Sequence, residues 1–91
     1  MVHIGIDLHK RYSYVVAISD KGTVINQKTM PHSRQNWSSY IKAFYEPAQA
    51  VVESTVNWYF LADWLNPLVH KLVLANSFKT KAIAGAKIKT D

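Results

Sequence analysis

The chain has 91 residues, enough for one small domain and too few for two. It contains no cysteine, which excludes a disulfide framework and a thiolate metal centre and leans towards a reducing compartment. The net charge is +5, and the excess sits at one end: residues 1–63 hold six Lys/Arg and five Asp/Glu, whereas residues 64–91 hold five lysines and one acid, Asp91.

The first predicted element is a strand, because Val2, Ile4 and Ile6 alternate with His3, Gly5 and Asp7. Asp7 stands where that strand is expected to stop. Residues 12–18 form a second predicted strand, rich in aromatic and β-branched side chains. Asp20, Lys21 and Gly22 signal a turn, since glycine takes positive φ at no steric cost. A third strand is expected over 23–29. The short connections favour antiparallel neighbours.

Pro31 is expected to end the strand pattern. Ser33 is suited to cap a helix by accepting a bond from a free backbone N–H. Trp37, Tyr40, Ile41 and Phe44 then follow at i, i+3, i+4 and i+7, one apolar stripe. Such a stripe could be a base-stacking platform, but at this spacing it reads as core. Pro47 closes the segment. Ala50-Val51-Val52 reads as a buried strand of a parallel pair, ending in Glu53. Ser54 or Thr55 is the expected cap of a second helix running to about Leu65, with Trp58, Leu61, Leu65 and Trp64 as its inward candidates. Leu72-Val73-Leu74 is a further short strand, also expected to be buried. Asn76 is the expected cap of a third helix, with Phe78, Ala82, Ile83 and Ala86 on one side. Lys79, Lys81 and Lys87 fall elsewhere on it, and Gly85 weakens it by about 1 kcal/mol relative to Ala.

The expected order is β-β-β-α-β-α-β-α, an α/β fold with a mixed sheet and packed helices. No apolar run approaches the roughly 20 residues that span a bilayer. The opening residues lack the basic and long apolar regions of a signal peptide, so the acceptor-like Asn36-Trp37-Ser38 is set aside.

The chemistry rests on two acids at strand ends, Asp7 and Glu53. In an open α/β sheet, ligand sites form outside the carboxyl ends of strands. If the strands carrying them are parallel neighbours, the carboxylates meet and repel, and a divalent cation relieves that repulsion. The bland alternative is that both acids merely cap turns and helices. The histidines show no H-x-E or H-x₃-H spacing, Ser13, Ser54 and Thr55 lie in no nucleophile motif, and the three glycines form no phosphate loop. The lysines of the last third either meet phosphate backbones or line a solvated helix face.

Three segments together carry a family likeness. They are Ile4-Gly5-Ile6-Asp7-Leu8-His9-Lys10; Val51-Val52-Glu53-Ser54-Thr55 with Asn57-Trp58-Tyr59; and Ala75-Asn76, Lys79, Lys81-Ala82-Ile83-Ala84 and Ala86-Lys87-Ile88-Lys89-Thr90-Asp91. In order and interval the chain resembles the amino-terminal domain of the DEDD transposases of the "IS one-ten" insertion-sequence family, over essentially all of residues 1–91. The resemblance implies a ribonuclease H-like, RuvC-like fold and a prokaryotic, cytoplasmic, nucleoid-associated enzyme of DNA transposition. It implies four acids holding Mg²⁺ or Mn²⁺, of which the first three fall on Asp7, Glu53 and Asp91. The fourth would lie three residues after Asp91. The family's carboxyl-terminal domain carries a serine implicated in strand exchange. The chain is therefore expected to be inactive alone, and to hold the metal weakly or not at all without the missing ligand. DNA, a bridging guide RNA and further copies of the protein are the implied partners, with Lys79, Lys81, Lys87 and Lys89 towards nucleic acid. One departure is Val56, where the family often has Gly; a β-branched residue is strained there if the turn needs positive φ.

Two rivals stand beside this reading. A non-catalytic nucleic-acid-binding or assembly module of the same fold would use the basic last third as well. An actin-like sugar kinase also carries Gly-Ile-Asp in its first strand, but it needs phosphate-binding loops that this sequence lacks.

Overall fold

The computed structural model describes residues 1–54 and 57–76. Seven elements follow one another: β1 (Val2–Leu8), β2 (Tyr12–Ile18), β3 (Val24–Pro31), α1 (Arg34–Lys42), β4 (Ala48–Ser54), α2 (Tyr59–Leu65) and β5 (Lys71–Asn76). The expected third helix lies outside the described residues. The five strands form one mixed sheet in the order β3-β2-β1-β4-β5. The β1-β2-β3 meander is antiparallel, and β4 and β5 join it in parallel pairs. Among the described residues the protein is thus α/β, with a five-stranded mixed sheet and two helices.

Side chains of a strand alternate between faces, and burial in β1 follows that period. Val2, Ile4, Ile6 and Leu8 are buried, while Gly5 and Asp7 are exposed. Val15 and Ala17 of β2, and Ala48, Ala50 and Val52 of β4, join the buried face. Against it pack Trp37, Tyr40 and Ile41 of α1, and Leu61 and Leu65 of α2, in one core cluster. Both described helices therefore cover the same side of the sheet. Each fully buried aliphatic side chain contributes about 1.5–3 kcal/mol against the entropy of ordering.

Local chemistry sets the boundaries. At the β2–β3 turn Gly22 takes φ +85° and its N–H donates to the Ser19 carbonyl at 2.9 Å. Ser33 caps α1, its Oγ accepting from the Asn36 N–H at 3.3 Å. Near the start of β1, the His3 ring and the Met1 amine both reach the Asp20 carboxylate at 2.8 Å. The amine, then His3, holds that carboxyl below its usual range.

Four expectations need correction. β3 runs through Pro31 instead of stopping before it. As an edge strand it tolerates a residue without an N–H. Ser54 does not cap α2, because parallel pairing with Leu8 and Asn76 keeps it in β4. The helix starts later, after Asn57 Oδ1 accepts from the Tyr59 N–H at 3.0 Å. β1 extends one residue past Asp7, to Leu8. Neither strand read as buried is so throughout: Val51 of β4 is 38% exposed on the face opposite the helices, and Leu74 of β5, opposite Val52 on the helix side, is 40% exposed. No helix among the described residues is long and apolar enough to cross a membrane.

Candidate metal-binding carboxylate site

The site lies at the carboxyl ends of β1 and β4, on the sheet face turned away from the two helices. Val2, Ile4, Ile6 and Leu8 must face the core, so Asp7 faces the other way. The same logic applied to Ala48, Ala50 and Val52 turns Glu53 to that same side. Register decides whether the two meet. β1 and β4 pair in parallel with Val2 opposite Ala48, and this brings Asp7 opposite Glu53. Adjacent strands lie about 4.8 Å apart, so the two acids are immediate lateral neighbours. Two strands that are distant in sequence thus bring one carboxylate each to one spot.

The row continues on both sides. Tyr14 of β2 is opposite Asp7, and Ala75 of β5 is opposite Glu53. One residue pair below, Val16, Gly5 and Val51 form a second row. Together these rows line a shallow groove of about 270 Å³, with Asp7, Glu53 and Tyr14 along one end and an apolar floor. Gly5 contributes to the openness of that floor. A Cβ added there would meet no atom within 4 Å. The Tyr14 hydroxyl is tied down, donating to Gln27 Oε1 at 2.9 Å.

Asp7 has a partner that sequence spacing does not reveal. His9 Nε2 lies 3.1 Å from Asp7 Oδ2. The His9 ring stacks on Tyr12, with centroids 4.8 Å apart and planes 25° apart. Its backbone N–H donates to the Tyr12 carbonyl at 2.9 Å, closing the β1–β2 turn. The only sequence signal is proximity: His9 follows the strand end two positions after Asp7. The other histidines stand elsewhere. His3 pairs with Asp20, His32 lies against the Phe60 ring at 5.1 Å, and His70 is exposed ahead of β5.

Chemically, the arrangement offers hard oxygen donors from two side chains beside an open groove. That donor type suits Mg²⁺ or Mn²⁺, which bind through one or two carboxylates and keep several waters or phosphate oxygens. Among the described residues, no group of three or more His, Cys, Asp or Glu side chains is arranged so that all could hold one metal ion. The third acid of the sequence reading, Asp91, and the lysines at 79, 81, 87 and 89 lie outside the described residues, as do Thr55 and Val56. No protein-family model matches the chain, and no curated protein matches it.

Proposed function

We propose that this chain is the amino-terminal part of a ribonuclease H-like catalytic domain that cleaves and rejoins DNA with divalent metal, as in the DEDD transposases of the "IS one-ten" family. The observation that carries the proposal is the pairing of Asp7 with Glu53 on adjacent parallel strands. The mixed sheet and the three-segment likeness support it.

Asp7 is the central metal ligand of this reading, because β1 is the middle strand and its neighbours surround it. Glu53 is the second ligand and Asp91 the third. Mg²⁺ or Mn²⁺, when bound, would polarise the scissile phosphate and stabilise the leaving oxygen. The protein's own part is positional. The rigid sheet fixes the spacing of the carboxylates, and the apolar floor beside them keeps competing polar groups away from the reacting phosphate. Lys79, Lys81, Lys87 and Lys89 would contact phosphates of DNA or guide RNA, which position a strand without reading its sequence. A homo-oligomer, bringing two such sites to two DNA ends, completes the reading.

The deciding experiment is recombination in cells by the complete transposase reading frame. Asp7→Ala and Glu53→Ala should each abolish it at unchanged protein level. Undiminished recombination by Asp7→Ala sinks the proposal. Salt-sensitive nucleic-acid binding with no metal requirement in any step would instead favour a non-catalytic binding module.

A further inference from the structure

We infer that His9 is a positioning residue for the carboxylate pair: it holds Asp7 by one oxygen so that the other faces Glu53 and a shared divalent cation. The inference rests on the metal-site reading above and adds a residue to it.

Three contacts fix His9, two of them through its ring. Its backbone N–H is bound to the Tyr12 carbonyl, its ring is stacked on the Tyr12 ring, and Nε2 reaches Asp7 Oδ2. A side chain held at backbone, ring face and ring nitrogen has little rotamer freedom left to lose. Asp7 itself is more than half exposed, with a side-chain exposure of 58%. Packing constrains its χ angles little, and the bond from His9 adds the constraint that packing does not. An imidazole N–H donating to Oδ2 leaves Oδ1 as the oxygen available to a cation. Glu53 stands on the opposite side of Asp7 from β2, whose first residue, Tyr12, supports His9. The donor and the second acid thus approach Asp7 from different directions. Ligating carboxylates are commonly oriented by such outer hydrogen bonds, and losing one costs about 10–100-fold in metal affinity.

The test uses Mn²⁺ alone as the probe, titrated into the 91-residue chain and followed by electron paramagnetic resonance. His9→Ala should weaken Mn²⁺ binding about tenfold, while the melting temperature without metal stays within a few degrees of wild type. His9→Gln places an amide N–H near the position of Nε2 and should recover most of the affinity. The Mn²⁺ spin-echo spectrum should lack the modulation of a directly bound imidazole nitrogen. Unchanged or tighter binding by His9→Ala overturns the inference, as does a directly bound nitrogen. Failure of the underlying reading looks different. In that case the wild type binds no Mn²⁺, or Asp7→Asn binds it as well as wild type does.

Discussion

Replacing Asp7 by Asn should stabilise the chain without metal and abolish its stabilisation by metal. Asp7 and Glu53 are Cα partners on adjacent parallel strands. At the strand spacing of about 4.8 Å, two carboxylates near water interact with roughly 1 kcal/mol of repulsion. The bond from His9 to Asp7 offsets part of that, so the expected gain from Asp7→Asn is about 0.5 kcal/mol. For a domain of this size that is roughly 2–4 °C in Tm. Metal reverses the comparison. At ten times its Kd a cation binding only the folded wild type contributes about 1.4 kcal/mol, or roughly 6–11 °C. Asp7→Asn should gain almost none of this. The assay is thermal denaturation by circular dichroism with and without MgCl₂, at matched ionic strength because salt alone screens exposed charges. The reasoning is refuted if Asp7→Asn melts below wild type in the absence of metal, or if Mg²⁺ raises both proteins equally.

Three further outcomes follow from single side chains. Burial pushes the Tyr40 hydroxyl up to about 12, above its unfolded value of about 10. The folded state thus holds that proton more tightly. This contribution is complete below pH 10 and is lost as pH rises towards 12. Tyr40→Phe should flatten the alkaline limb of a pH–stability curve, while losing the bond to Asn26 Oδ1 at 2.8 Å. Ser13 is fully buried and its Oγ has no hydrogen-bond partner among the described residues. Ser13→Ala removes an orphaned polar group and should raise stability by about 1 kcal/mol in urea titration; a loss above that size would mean the hydroxyl is satisfied. Gly22→Ala places a Cβ at φ +85° and should cost about 1–2 kcal/mol, read from the shift in urea midpoint at constant slope.

Most of the sheet was legible because the strands alternate. β2 spans Tyr12–Ile18, the span that its pattern predicts. The Ser33 cap and the Trp37, Tyr40 and Ile41 stripe also stand where local chemistry puts them. The misreadings share a cause. Ser54 has a strong local preference to cap a helix, but strand pairing on both sides holds it extended. Pro31 has a strong local preference to end a strand, but the edge position demands no ladder N–H from it. Val51 sits in a run of apolar residues that looks buried throughout, yet its face of the sheet is open among the described residues. In each case a partner distant in sequence decides, and local pattern does not carry that partner.

The acid pair was legible in a narrower sense. Alternation tells which face Asp7 and Glu53 take, but not that they stand opposite each other. That depends on the register of β1 against β4, which is set at the other end of the strands. There Val2 lies opposite Ala48, and the Val2 N–H donates to the Pro47 carbonyl at 2.9 Å. A slip of one residue would turn Glu53 towards the core and expose Val52 instead. Ala48, Ala50 and Val52 are all at most 3% exposed beneath the helices, so the core itself forbids that slip. The same apolar pattern that stabilises the sheet therefore aligns the two carboxylates. His9 needs no such long-range decision. It is two residues from Asp7 on a strand end, and the turn that stacks it on Tyr12 is local. Metal-ligand spacing among histidines does not point to it, because His9 meets Asp7 as a hydrogen-bond partner of the acid.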